Sequence, residues 1–227
     1  MTTQLSYFFK TTRDKLNLTQ KQMALELDVS LDAIKKIEAG NTHFPSTKVL
    51  AGLAKLTSMH ETDIIQEIIF NHSCYNGHEN DFTDCCKNYL AYLYINGYSI
   101  NKHLRVIQVV ENKQITINCT ILSKKTDSNY KIGVDTCNNF FKLRQILREN
   151  INQNMKDIQI FTHVVAPFMN EQTAFKEIQV VFNSNSNEEI ELYKELCHSF
   201  SNLFNLNVYF VLYNDKTHEI ESKHKFS

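Results

Sequence analysis

The sequence predicts two domains of different class, an all-α domain of five short helices over residues 1–70 and an α+β domain over residues 81–227. Three observations carry this. Apolar residues in the first 70 positions recur at spacings of three and four, and several segments open on Ser or Thr. The polar stretch Asn71–Asn80, NHSCYNGHEN, interrupts that period and reads as a linker. Beyond Gly97 the pattern changes to β-branched runs of strand length. A chain of 227 residues also suits two modest domains better than one minimal module.

The five helices fall near Gln4–Lys15, Thr19–Leu27, Ser30–Ala39, Ser46–Leu56 and Glu61–Phe70. After the linker, Asp81–Asn96 has helical spacing and a Tyr-rich face, and it stops at Gly97, a usual residue just past a helix end. Arg105–Val110 and Ile115–Leu122 read as a hairpin. Next come a strand at Tyr130–Asp135, a helix with Phe140, Leu143, Leu147 and Ile151 on one face, and strands at Ile158–Ala166 and Lys176–Phe182. A helix burying Ile190, Tyr193, Cys197, Phe200 and Phe204 leads into the apolar strand Leu206–Tyr213. From Tyr130 the predicted order is β-α-β-β-α-β, the ferredoxin-like arrangement, with an added hairpin in front.

Composition narrows the function. The chain is 42% hydrophobic and 22% charged, with 15 Phe and 10 Tyr, enough apolar material for real cores and too little charge for disorder. No run approaches a membrane span, and MTTQLSYFFK lacks the basic-then-apolar pattern of a signal peptide, so a soluble cytoplasmic protein is expected. Six scattered Cys read as reduced thiols rather than a disulfide framework. Five Gly and two Pro leave little material for phosphate-cradling loops, and no P-loop, dinucleotide fingerprint or nucleophile elbow is present. The formal net charge is −1, with eight Lys/Arg and eight Asp/Glu in residues 1–70, so a nucleic-acid reader here would work by geometry rather than by a basic field.

The informative stretch is Leu18–Gly40, LTQKQMALELDVSLDAIKKIEAG. It encodes two helices joined by a tight turn. Thr19 and Ser30 are placed to cap them, because a side-chain oxygen can accept from the unpaired N–H groups of a first turn. Met23, Ala24, Leu27, Val29, Ile34 and Ile37 are spaced to pack the helices together, and Ala24 is small enough to let them approach closely. Together with Arg13, Leu16, Gln20, Glu38, Pro45, Leu50 and Ala54, this pattern resembles the lambda-repressor-like, or XRE/Cro, helix-turn-helix family over about 65 residues.

The resemblance implies that the second helix of the motif enters the DNA major groove as part of a dimer on a palindromic operator. By position it implies base reading by Leu31, Asp32 and Lys35, with Ser30 and Lys36 beside them. It implies phosphate contact by Gln20 and backbone contacts by Asn41 and Thr42. Two residues depart from the family pattern. Asp28 stands where Gly is usual, and Asp32 places a carboxylate among phosphates. Asp32 either accepts from a base amino group or supports its own helix at the positive dipole end. Taken together these readings predict a sequence-specific regulator, a homodimer on double-stranded DNA, with a protein or small-molecule effector received by residues 81–227.

The rival readings rest on less. A protein-binding module that has lost DNA binding would share the helical pattern. His72, Cys74, His78, Cys85 and Cys86 form a soft-ligand cluster suited to zinc, but adjacent cysteines on a helix point about 100° apart. Incidental thiols are the plainer reading, and no metal or cofactor is expected. Glu111-Asn112-Lys113 beside a strand is the faint nuclease-like element of a catalytic fusion, without its confirming context. His163 and His198 are expected as satisfied core histidines, and the Tyr89–Tyr98 stripe as core or interface. The chain is read as a non-enzyme.

Overall fold

The structure is a computed structural model and describes residues 4–42, 44–70, 83–110, 113–135, 140–169, 175–199 and 207–226. It divides into two compact units. The first is residues 1–80 with Leu90–Ile95; the second is Asp81–Tyr89 with residues 96–227. The predicted linker, Asn71–Asn80, lies outside the described residues.

The helical unit contains α1 (Gln4–Lys15), α2 (Gln20–Glu26), α3 (Leu31–Glu38), α4 (Thr47–Thr57) and α5 (Glu61–Phe70). The predicted helix positions hold because local signals set them. Thr19, Ser30 and Ser46 each cap the following helix, and Thr19 and Gln22 close a reciprocal capping box. The helices then bury one face: Leu5 and Phe9 of α1, Met23 and Ala24 of α2, Ile34 and Ile37 of α3, Leu50 and Leu53 of α4, Ile64 and Ile65 of α5. Helix α6 (Asp84–Ile95) is divided between the units. Its last residues, Leu90–Ile95, count with the helical unit, where Tyr94 packs against Phe44 with ring centroids 5.0 Å apart. Gly97, at φ 91°, ends the helix in the left-handed geometry expected of it.

The second unit is a mixed six-stranded sheet in the order β1 (Tyr98–Val110), β2 (Lys113–Lys124), β3 (Asp127–Asp135), β4 (Glu177–Asn183), β5 (Val208–Asn214) and β6 (Glu219–Phe226). Strands β1, β2 and β3 form an antiparallel meander; β3, β4 and β5 run parallel; β6 returns antiparallel to β5. Helices α7 (Phe140–Arg148) and α8 (Gln153–Met169) connect β3 to β4, and α9 (Asn187–Ser199) connects β4 to β5. Parallel neighbours need such crossovers. Alternation along the strands sends Cys119, Ile178, Val180, Phe182, Phe210 and Leu212 into one core with Leu143, Ile160, Val164, Phe168 and Leu196 of these helices. Gly133 lets Phe168 reach the sheet, since a Cβ there would lie 2.6 Å from its ring. The alternate residues Gln179 and Tyr213 meet Tyr89 of α6, whose hydroxyl donates to Gln179 Oε1 and whose ring sits 5.1 Å from that of Tyr213.

This corrects the ferredoxin-like expectation. Ile158–Ala166 belongs to helix α8, and the strand order is sequential with a parallel centre. The buried positions explain the error: Asp157, Ile160, Val164, Val165 and Phe168 recur at helical spacing, while Ile158 is exposed. The apolar run was long enough to hide a period of 3.6. Strand β6 was not anticipated, because its sequence EIESKHKF is largely charged. Tyr98, placed in a helical stripe, opens β1 instead. His198 is exposed on α9, with Nδ1 2.6 Å from the Lys194 carbonyl oxygen, and is not a core histidine. His163 falls in α8. Phe200 and Phe204 lie outside the described residues.

Candidate nucleic-acid interface

The α2–turn–α3 unit is built from backbone geometry first. Asp28 takes φ 50°, the left-handed conformation that Gly usually supplies and that Asp tolerates better than most residues. Its N–H donates to Leu25 O (3.1 Å) and the Val29 N–H to Ala24 O (3.0 Å), the paired bonds that close a helix through a left-handed residue. The Asp28 carboxylate is held below its ordinary range by the hydrogen bond and charge of Lys48, whose Nζ lies 2.6 Å away. Helix α3 ends the same way at Gly40 (φ 77°), where Asn41 N–H donates to Lys36 O and Gly40 N–H to Ile37 O. Both ends of α3 are therefore set by local bonds.

A polar network then locks α3 against α1 and α2. Glu38 is buried, and its Oε1 accepts from Arg13 Nε at 2.6 Å while Oε2 accepts from Gln20 Nε2 at 2.8 Å. Arg13 also donates to Leu18 O, and Ser6 Oγ donates to Glu38 O. The hydrogen bond from Arg13 to Glu38 outweighs burial and pushes the guanidinium pKa up. Gln20, expected at the phosphates, has an amide donor held by Glu38 Oε2. The Glu38 carboxylate as the hub was missed, although the charged residue beside buried Ile37 at the helix end was the signal available.

With Ile34 and Ile37 buried, α3 presents Asp32, Lys35 and Lys36 exposed and Leu31 half-buried. Ser30 Oγ accepts from Ala33 N–H at 3.1 Å. Asn41 is exposed and Thr42 half-buried in the turn after α3. The sequence-predicted residues thus share one helix and its flanks, a face carrying two ammonium groups and one carboxylate. Asp32 lies in the first turn of α3, where its charge favours the helix dipole. Replacing Ser30 by Ala should lower stability by about 1 kcal/mol, and Ser30→Asp should keep it, since only the cap acceptor is lost. Thermal unfolding of the two variants tests this. Equal losses would mean the cap is not the contribution.

The other candidate groups fall only in part within the described residues. His72, Cys74 and His78 lie outside the described residues. Cys85 and Cys86 are buried; burial pushes the Cys85 thiol far up, so it holds its proton. Among the described residues no group of three His, Cys, Asp or Glu side chains is placed to hold a metal ion. Glu111 and Asn112 lie outside the described residues. Lys113 pairs with Val110 at the far end of the hairpin, six positions from Cys119, the partner of the buried Asp135.

Residues 9–64 match the family model described as helix-turn-helix, and the rest of the chain has no family match. No characterised protein and no solved structure matches the chain. The first unit therefore carries a helix-turn-helix domain of the XRE type, which at family level is the DNA-binding domain of transcriptional regulators. Among the described residues no helix is long and apolar enough to cross a membrane.

Proposed function

We propose that this protein is a dimeric, sequence-specific repressor that acts by occupying a palindromic operator, without turnover, and is controlled through its C-terminal unit. The observation that carries the DNA-reading part is α3 itself. Its ends are fixed by the Ser30 cap and the Gly40 turn, its inner face is buried, and Leu31, Asp32, Lys35 and Lys36 are left on the outer face. Such a helix presents its first residues to base edges when it lies in the major groove. A single small, nearly neutral domain makes few contacts. Two linked copies raise affinity through effective concentration without new contacts to DNA.

The C-terminal unit supports the control role by its separateness: it is a second compact body with its own core. A partner protein or small molecule that prefers the unpaired arrangement would release DNA, and by linkage only to the extent that it binds the two states unequally.

The test is a binding series on an operator selected from random duplexes. Lys35→Ala should weaken binding to the selected site by roughly 1–3 kcal/mol, about 5–150-fold, with relaxed preference at one base pair if Lys35 reads guanine. A uniform loss on every sequence would assign Lys35 to phosphate instead. A wild-type chain that selects no sequence above background would end the repressor reading.

A further inference from the structure

Among the described residues, β2 pairs with β3 from Cys119 to Lys124 and with β1 outward as far as Val110 and Lys113. Among the described residues, Arg105–Val110 and Lys113–Asn118 form a two-stranded arm six residue pairs long, about 20 Å. Strand β1 is also the terminal strand of the sheet, so among the described residues the outer edge of the arm is a row of main-chain groups with no strand beside it. A two-stranded ribbon is marginally stable in water, and an open edge is a template for strand addition.

The two terminal strands treat that hazard differently. Strand β6 carries Glu219, Glu221, Lys223, His224 and Lys225 within eight residues, the charged edge that discourages pairing. Arg105–Val110, RVIQVV, has one charge and four β-branched residues. One edge of the sheet is guarded and the other is left competent to pair.

We propose that Arg105–Val110 is the dimerisation strand of this protein, pairing antiparallel with the same segment of a second copy across a two-fold axis. The proposal deepens the dimeric reading above and rests on it. A second copy is the occupant the edge fits, because a strand paired with itself about a two-fold closes the contact, whereas head-to-tail addition would leave a fresh edge exposed. Centring the axis on Gln108 sets Val106 against Val110 of the partner subunit and Ile107 against Val109 of the partner subunit. Gln108 then falls opposite Gln108 of the partner subunit in the register. These are the β-branched cross-strand pairs that stabilise a ladder. Moving the axis between Ile107 and Gln108 would instead set Arg105 against an apolar valine.

The test uses the full chain in the absence of DNA. The wild type should scatter light as a dimer, and exchange of the amides of 105–110 should slow as protein concentration rises. Gln108→Cys, mildly oxidised, should become mostly covalent dimer, because directly opposed residues lie within disulfide reach. Val106→Cys and Val110→Cys should each stay uncrosslinked alone and crosslink when mixed. A monomeric wild type at tens of micromolar overturns the proposal. So does a dimer whose 105–110 amides exchange at the same rate at every concentration, or crosslinking at Arg105→Cys that equals that at Gln108→Cys. Since no DNA is present, a failure of operator recognition leaves this result standing; a dimer with unprotected 105–110 amides overturns the strand assignment and leaves the dimeric reading intact, whereas a monomer overturns both.

Discussion

Arg13→Ala is expected to cost the helical unit about 3–5 kcal/mol, enough to unfold a domain of this size and abolish DNA binding with it. The reason is the state of what remains. Glu38 is 6% exposed, and removing Arg13 leaves its carboxylate in the interior beside the Gln20 amide, its remaining side-chain partner among the described residues. An uncompensated buried charge is far more costly than an absent ion pair. Replacing both residues by apolar side chains, Arg13→Met with Glu38→Leu, should therefore recover most of the loss. Glu38→Gln should fall between, because it keeps the hydrogen-bonding shape and removes the charge. Urea unfolding of the four proteins orders them. If the double variant is as unstable as Arg13→Ala, the penalty lies in lost packing rather than in the stranded carboxylate.

The second large effect belongs to Asp135, at the end of β3. Its side chain shares the helix-covered face with its pairing partners Cys119 and Val180, is 3% exposed, and has Oδ1 without a hydrogen-bond partner. Burial pushes its carboxyl up to about 7. In the unfolded chain the same group titrates near 4. Below about pH 4 both states hold the proton and the group imposes no penalty. Between about 4 and 7 the unfolded chain ionises while the folded unit keeps its proton, so stability falls as pH rises. Above the folded value the loss levels off, at a total on the order of a few kcal/mol. Asp135→Asn removes the titration. The difference in unfolding free energy between variant and wild type should rise in the variant's favour from pH 5 to pH 8. A constant offset from burying the amide does not alter that slope. A difference independent of pH would show that Asp135 ionises normally in the fold.

These two sites mark where reading the chain stopped being sufficient. The helix-turn-helix was legible because its determinants are local: a cap at Thr19 or Ser30, a residue tolerating left-handed geometry at Asp28, Gly40 after the last turn, and apolar spacing that leaves Lys35 and Lys36 outside. The β1–β2 hairpin was legible for the same reason, two β-branched runs a few residues apart. Legibility faded in the second unit as each element came to depend on what lay across from it.

The sequence by itself determined the succession of five helices and then a strand-rich region, the positions of those helices to within a residue, and the face of α3 turned outward. Each of these follows from bonds and spacings within about ten residues. Only the tertiary structure decided that Ile158–Ala166 is a helix, since its apolar run satisfies either period until the sheet chooses Ile160, Val164 and Phe168 to bury. It alone paired the charged strand β6, whose hydrogen-bond partners lie in β5. It alone turned Glu38 into a buried hub and Asp135 into a carboxyl that keeps its proton, because solvation and charge pairing are properties of neighbours brought from other elements, not of the residue's place in the chain.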